Sequence, residues 1–152
     1  MVVTSHDHEF DYDDLTRALW ALEDAVAFYG SDPDLVYPGR GGRPYPGSGA
    51  ITGAVARVAR REPDRVFGKP SEPAIRMVEE ALGHPPERVL VVGDGLDTDV
   101  AMGEAGGFHT AFVLSGRGSR EELAAAGSTP DHVLDSLADL PVLLDAPDGS
   151  DA

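Results

Sequence analysis

The sequence predicts an α/β fold in which helices cover a parallel sheet. From Lys69 onward, helical and extended patterns alternate along the chain, which is typical of sheets built from strand–helix–strand units. Residues 89–92 form a continuous apolar run, and residues 71–82 carry apolar side chains at helical spacing. We therefore expect the second half of the chain to form half of a parallel sheet, with a smaller α/β lobe before it.

The second half divides into successive elements. Ser71 is the candidate N-cap of the helix at 71–82, and Gly83 is its stop signal. The strand at 89–92 is expected to be buried on both faces, because its apolar residues do not alternate with polar ones. After it we expect a loop at 93–98, a helix at 99–105, a strand at 110–114 and a helix at 119–126. An extended segment at 131–134 should then lead into a short helix that includes Ala138 and Leu140. The tail at 146–152 is expected to be frayed.

The first half predicts a separate lobe with a different composition. Residues 31–49 are rich in proline and glycine, so we expect a loop there that is too long for a simple connection and is suited to binding. The other elements expected are a short strand at Val2 and Val3, an amphipathic helix at 11–27, a strand end at Phe28 and Tyr29, and a helix at 51–60. A boundary near 64–67 gives domains at 1–66 and 67–145.

Composition excludes several classes of function. The chain has no cysteine, so disulfides, thiolate metal sites and cysteine nucleophiles are excluded. Its formal net charge of −15 would repel nucleic acids and anionic lipid, so neither nucleic acid nor a membrane is an expected partner. The chain lacks a long apolar segment, and its start does not resemble a signal peptide. We expect a cytoplasmic protein whose acidic surface suits a halophile.

Lys69 is the only lysine in the chain. Positive charge elsewhere comes from arginine, so a lysine retained at one position suggests a role that arginine does not fill. The lysine ammonium is a compact point charge, suited to holding a phosphate group. The alternative is that Lys69 has been retained by chance.

Three aspartates follow the predicted strand at 89–92 within six residues: Asp94, Asp97 and Asp99. Open α/β sheets bind ligands beyond the carboxyl ends of their strands. Carboxylates this close repel one another unless a cation lies among them, so Mg²⁺ is the expected partner. Asp94 is the best-placed ligand. Asp99 could instead cap the next helix and orient the metal ligands without binding the metal itself.

Other interpretations of this segment are weaker. An EF-hand loop counted from Asp94 would need a glutamate at its twelfth position, where the chain has Ala105. Gly93, Asp94 and Gly95 resemble a dinucleotide-binding fingerprint, but a third glycine is missing and Asp94 would face a pyrophosphate. Acidic capping of a helix in an acid-rich protein remains open.

An ordered series of motifs resembles the haloacid dehalogenase (HAD) superfamily, and within it the branch of p-nitrophenylphosphatases, phosphoglycolate phosphatases and nucleotide monophosphatases with a subclass IIA cap. The similarity extends over nearly the whole chain. The motifs are Gly68-Lys69-Pro70, Val91-Val92-Gly93-Asp94 with Asp99 five residues later, and Thr110-Ala111-Phe112-Val113-Leu114-Ser115-Gly116. Upstream, the start of the chain resembles a cap strand and helix, and Ser31-Asp32-Pro33-Asp34 with Pro46-Gly47-Ser48-Gly49-Ala50 resembles the cap loop.

The resemblance implies a Rossmann-like HAD core half behind a cap remainder, and a Mg²⁺-dependent phosphatase acting on a small phosphorylated metabolite. In that family Lys69 would hold the transferring phosphoryl group and the nucleophile. Asp94 would bind Mg²⁺, and Asp99 would support it. The cap loop, with Asp32 and Asp34, would shape the leaving-group pocket. Family members often have asparagine where this chain has Asp32.

The chain departs from the family pattern at the front. The family's nucleophile lies in an Asp-x-Asp motif after an apolar strand. Asp11 and Asp13 have that spacing, but no apolar strand precedes them and they open a helix. We therefore expect a truncated form that is inactive alone, because no aspartyl-phosphate can form without the nucleophile. Loss of the nucleophile's strand would also leave an exposed apolar sheet edge.

Two further interpretations stay open. A non-catalytic protein could bind Mg²⁺ or phosphate, or pair through the open sheet edge to form a homodimer. His6 and His8 could line one side of a strand and bind a metal with Asp7, although histidines on the surface of a cap explain them as well.

Overall fold

The computed structural model describes residues 1–145, so the predicted frayed tail at 146–152 lies outside the described residues. The chain forms two compact units, Met1–Pro73 and a second that begins at Ala74. No helix within residues 1–145 combines the length and the apolar character needed to cross a bilayer.

The first unit contains a three-stranded parallel sheet and a separate hairpin. Its elements are β1 (Val2–Thr4), α1 (Tyr12–Glu23), β2 (Phe28–Gly30), β3 (Val36–Pro38), β4 (Pro44–Pro46), α2 (Ser48–Ala59) and β5 (Arg65–Val66). The sheet has the order β1-β2-β5. The core contains Leu22, Phe28, Val55 and Ala56, with Val2, Leu15, Ala18, Ala25 and Ala59 packed around them.

Helix α1 begins where the sequence predicts but ends earlier. Asp11 is the N-cap, and its carboxylate accepts hydrogen bonds from the backbone N–H groups of Asp13 and Asp14. The Asp14 carboxylate in turn accepts from the Asp11 N–H, which completes a capping box. The helix was expected to continue to residue 27, which is wrong, because the Ala27 carbonyl accepts from the Val2 N–H at 2.8 Å beside the β1–β2 pair.

The segment 31–49 is more ordered than the predicted loop. Strands β3 and β4 pair in an antiparallel hairpin, with Tyr37 opposite Tyr45. The connection is a short 3₁₀ turn at Arg40–Gly42, in which Gly41 and Gly42 adopt φ of +69° and +75°. Prolines weaken a strand prediction because they lack an N–H group, and they are tolerated here because the hairpin has only two strands.

The second unit holds a three-stranded parallel sheet in the order β6-β7-β8. Helix α3 (Glu72–Leu82) leads into it. The elements that follow are β6 (Leu90–Gly93), a π-helical turn (Leu96–Val100), α4 (Ala101–Gly106), β7 (His109–Val113), α5 (Arg120–Ala126), β8 (His132–Leu134), a 3₁₀ turn (Leu137–Asp139) and α6 (Leu140–Leu144). This agrees with the α/β fold predicted from the sequence, and β8 is a full strand rather than only an extended lead into the last helix.

Strand β6 is less buried than its apolar sequence predicts. Leu90 to Gly93 are all half-buried, whereas Ala111, Phe112 and Val113 of β7 are buried. The reason is position: β7 lies between two strands, whereas β6 has only β7 as a neighbour within the described chain. The prediction of a strand covered on both faces is therefore wrong for this chain, and β6 presents an apolar edge.

Candidate active site

Asp94 lies directly after the carboxyl end of β6 and is held by the loop that follows β7. Its Oδ2 accepts a hydrogen bond from the backbone N–H of Arg117 at 2.8 Å. Because β6 and β7 are parallel, their carboxyl ends meet at the same edge of the sheet, where α/β folds bind ligands. The carboxylate of Asp94 is therefore fixed by a residue distant from it in sequence.

Asp99 lies in the π-helical turn and is buried, with 7% of its surface exposed. Its Oδ2 accepts from the Gly95 N–H at 3.1 Å, so its carboxylate folds back under the turn that carries Asp94. Helix α4 begins at Ala101 with Val100 before it. Asp99 therefore does not occupy the N-cap position suggested as one alternative, because Val100, the last residue of the π-helical turn, is the N-cap of that helix.

The turn 94–99 is packed too closely to admit other side chains at its glycines. A Cβ placed on Gly93 would lie 2.1 Å from Cγ of Asp99, and one on Gly95 would lie 2.1 Å from Oγ1 of Thr98. Neither glycine has a positive φ, so close packing rather than backbone conformation requires glycine there. Asp97, in contrast, is exposed.

These donors suit a hard cation. Within residues 1–145, no group of three or more His, Cys, Asp or Glu side chains is arranged to hold a metal ion. Mg²⁺ in phosphate-handling sites takes one or two carboxylates and completes its octahedron with water and phosphate oxygens. Asp94, with buried Asp99 behind it, fits such a partial set. A cleft of about 450 Å³ adjoins the turn and is lined in part by Asp94, Asp97, Arg117 and Glu122.

Lys69 lies in the first unit, just after β5, and its side chain is exposed. The Phe67 N–H donates to the Gly30 carbonyl at 3.0 Å, which continues the pairing of β5 with β2 toward the lysine. A Cβ on Gly68 would lie 2.5 Å from Cβ of Asp32, so the loop carrying Lys69 packs directly on the segment that follows β2. The Lys69–Pro70 peptide bond is cis.

Asp32 and Asp34 form a locally bonded turn. The Asp34 N–H donates to Oδ1 of Asp32 at 3.2 Å, and the Ser31 hydroxyl donates to Oδ2 of Asp32 at 2.9 Å. A cleft of about 270 Å³ is lined by His6, Asp32, Asp34, Tyr37, Gly47 and Ser48. The two predicted leaving-group residues thus share one cleft in the first unit.

His6 and His8 lie in the loop after β1 rather than on a strand, and the structure gathers them with aromatic rings. The His6 ring packs edge-on against Tyr37 at a centroid distance of 4.8 Å, and the Tyr37 hydroxyl lies 3.1 Å from Nε2 of His8. The proposed metal group with Asp7 does not form within the described residues.

Sequence reasoning missed Tyr37 and Arg117. The prolines of this segment indicate a loop and so concealed strand β3, in which the Tyr37 side chain lines the cleft. Arg117 could have been recognised as part of a binding loop, because it follows an apolar strand and has a glycine on each side. Lys69, Asp32 and Asp34 belong to the first unit and Asp94 and Asp99 to the second.

Comparison with known proteins identifies the family. The HAD-hydrolase-like family model matches residues 66–140. Glycerol-3-phosphate phosphatase from Gallus gallus is 36% identical over 151 residues, which cover 91% of this chain and 48% of that protein. The chain belongs to the HAD superfamily. Sugar-phosphatase AraL from Bacillus subtilis is 31% identical over 140 residues, covering 92% of this chain and 50% of its own length.

Solved structures of HAD phosphatases agree with the fold. The p-nitrophenyl phosphatase from Archaeoglobus fulgidus superposes with a TM-score of 0.83 at 38% identity, covering 93% of this chain and 55% of that chain. A 4-nitrophenylphosphatase from Thermotoga maritima gives 0.84 at 34% identity, covering 91% and 53%. The predicted superfamily, branch and Rossmann-like α/β fold are confirmed. The chain spans about half the length of the curated relatives it matches.

Proposed function

We propose that this chain is part of a Mg²⁺-dependent phosphatase that hydrolyses small phosphate monoesters. One observation carries the proposal: Asp94 is fixed at the carboxyl end of β6 by the Arg117 N–H, with the buried carboxylate of Asp99 behind it. Relatives named as glycerol-3-phosphate and sugar phosphatases support the small phosphorylated substrate. Under this proposal residues 1–66 are a cap remainder and residues 67–145 are half of the catalytic core.

Each site residue then has a separate part. Asp94 would bind Mg²⁺, and Asp99 would hold the turn that carries it. Lys69 would hold the phosphoryl group as a point charge, and Asp32 and Asp34 would face the leaving group. Bound Mg²⁺ would supply charge stabilisation at the phosphoryl oxygens. The residues of the chain bind and orient the substrate in this scheme.

We propose that the nucleophile comes from outside residues 1–152. Asp11 and Asp13 have the family spacing, but the carboxylate of Asp11 caps α1 through the N–H groups of Asp13 and Asp14. The Asp11 carboxylate is therefore engaged at the start of a helix and does not follow an apolar strand as the family nucleophile does. We therefore propose that these residues alone do not turn over a phosphate ester, and that a further segment or a partner chain completes the reaction.

The half-exposed edge of β6 favours a second candidate function. An apolar strand with one neighbour can pair with another chain, and a second copy would form a homodimer. Such a protein would bind Mg²⁺ or phosphate without catalysis. Its signature is a dimer that persists at low protein concentration and shows no hydrolysis with any added segment.

The test measures p-nitrophenyl phosphate hydrolysis and Mg²⁺ binding for the chain, for Asp94→Ala and for Asp97→Ala. The two variants lose the same charge, so a difference between them reports on position. We expect no turnover from any of the three and loss of Mg²⁺ binding only in Asp94→Ala. Mg²⁺ binding that survives in Asp94→Ala contradicts the assignment. Turnover by the unaltered chain that disappears in Asp94→Ala would contradict the proposal that the nucleophile lies outside residues 1–152.

We also propose that the protein works in the cytoplasm of a salt-accumulating cell. The net charge of −15 on 152 residues supports this, because salt screens repulsion among surface carboxylates. The melting temperature should rise with KCl and stay nearly constant in sucrose of equal osmolarity. A melting temperature indifferent to KCl would argue against a halophilic origin.

A further inference from the structure

The loop after β7 contacts Asp94 more closely than a simple connection requires. It consists of Ser115, Gly116, Arg117 and Gly118. A Cβ placed on Gly116 would lie 2.1 Å from Oδ2, 2.3 Å from Cβ and 2.5 Å from Cγ of Asp94. Every one of these distances is shorter than real Cβ contacts allow, and the three atoms make up most of the Asp94 side chain. The loop therefore lies directly against the carboxylate.

Backbone conformation does not explain this glycine. Gly41, Gly42, Gly83, Gly107 and Gly127 have positive φ, and Gly116 is not among them. An alanine could adopt the Gly116 backbone, so the requirement for glycine comes from the space that Asp94 occupies. The flanking Gly118 meets Phe112 and only the backbone of Asp94, because a Cβ there would lie 2.0 Å from Cζ of Phe112 and 2.9 Å from the backbone oxygen of Asp94.

We propose that Gly116 and the Arg117 N–H form a seat that fixes the rotamer of Asp94 and leaves Oδ1 for the cation. Gly116 supplies the space, and the N–H holds Oδ2 at 2.8 Å. Gly116 is thus a positioning residue for a metal ligand, although it carries no side chain. The inference rests on the proposed Mg²⁺ role of Asp94. Groups that orient metal ligands commonly change metal affinity about 10- to 100-fold when altered.

The first test is Gly116→Ala, with Mg²⁺ affinity measured by calorimetry and the Arg117 amide followed by ¹H–¹⁵N NMR. We expect Mg²⁺ to bind about tenfold more weakly or worse, and the Arg117 amide to lose its hydrogen-bonded shift. Gly53→Ala is the matched control, because a Cβ at Gly53 on α2 meets nothing within 4 Å. It should leave both readouts unchanged.

Two more variants separate the seat from general damage to the loop. Arg117→Ala retains the backbone N–H, so Mg²⁺ affinity should stay within about twofold or improve as a nearby cation is removed. Gly118→Ala should lower the melting temperature through Phe112 and affect Mg²⁺ less than Gly116→Ala does. Wild-type Mg²⁺ affinity together with a wild-type Arg117 amide shift in Gly116→Ala would overturn the seat.

A measurement on the unaltered chain tests the proposal even if the Gly116→Ala variant does not fold. Saturating Mg²⁺ should leave the Arg117 amide hydrogen-bonded and slow to exchange, because the cation takes Oδ1. Faster exchange of that amide on adding Mg²⁺ would show that the cation takes Oδ2, and the seat would be rejected. If the unaltered chain binds no Mg²⁺ at all, the proposed function fails, and that outcome is distinct because calorimetry then shows no binding of Mg²⁺ to the unaltered chain.

Discussion

The 31–34 turn of the first unit and the 94–99 turn of the second both place carboxylates directly after a parallel strand, but different contacts hold them. Asp32 accepts its hydrogen bonds from its neighbours Ser31 and Asp34. Asp94 accepts from Arg117, 23 residues later, and Asp99 is buried behind it. The carboxylate of Asp32 is thus held by local hydrogen bonds, whereas that of Asp94 is held by a loop distant in sequence.

This difference indicates what each turn can do. A locally bonded, half-buried carboxylate can adjust to different ligands, which suits residues that face a leaving group. A carboxylate fixed by a neighbouring loop keeps one geometry, which suits a cation that demands near-ideal octahedral coordination. Composition alone does not separate the two turns, because both are acidic and both follow a strand.

The largest effect should come from the core below the second turn. Phe112 is fully buried, pairs in register with Gly93 and packs against Gly118. Phe112→Ala should lower the free energy of unfolding by about 3–5 kcal/mol, and it should also shift the Arg117 amide resonance. Urea unfolding and ¹H–¹⁵N NMR measure the two effects.

Phe28→Ala provides the matched control, since Phe28 is also fully buried but belongs to the core of the first unit. It should cost a similar free energy and leave the Arg117 amide in place. If the two truncations disturb that amide equally, Phe112 does not specifically support the seat of Asp94.

A smaller effect should separate the two turns directly. Asp99→Ala leaves the buried Gly95 N–H without its carboxylate, so we expect a loss of about 1–3 kcal/mol. Asp32→Ala removes bonds at a half-buried site, and about 0.5–1.5 kcal/mol is expected. Exposed Asp97→Ala controls for the charge change and should stay within about 0.5 kcal/mol. Equal losses in Asp99→Ala and Asp32→Ala would mean that the burial of Asp99 adds nothing to the strength with which its turn is held.

The sequence predicted those parts of the molecule that depend on short-range patterns. The apolar run before Asp94 and the helical spacing after Ser71 identify β6 and α3, and the single lysine draws attention to Lys69. What the sequence could not show are features set by distant residues. The Asp94–Arg117 bond needs the parallel pairing of β6 with β7, and the half-exposed state of β6 depends on which strands are present. The β3–β4 hairpin was missed because its prolines indicate a loop.

The smallest expected effect lies at the other end of the second sheet, where Asp131 joins the starts of β7 and β8. Its Oδ2 accepts from the Thr110 N–H at 2.8 Å and from the Thr110 hydroxyl at 3.1 Å. The N–H of Thr110 is the main reason that the pKa of Asp131 lies below its ordinary value of 3.8. Because the pKa is lower in the folded state, the carboxylate stabilises the fold above pH 4 or so, and this stabilisation is lost as pH falls through the folded pKa.

In Asp131→Asn, the free energy of unfolding should therefore fall by about 0.5 kcal/mol less on acidification than in the unaltered chain. The value is small because 49% of the Asp131 side chain is exposed. Asp64→Asn is the counterpart in the first unit, where the Phe28 N–H lowers the pKa of Asp64 in the same way. Urea unfolding between pH 2.5 and 6 measures both variants. An acid limb unchanged in Asp131→Asn would mean that Asp131 does not carry the pH dependence of the second unit.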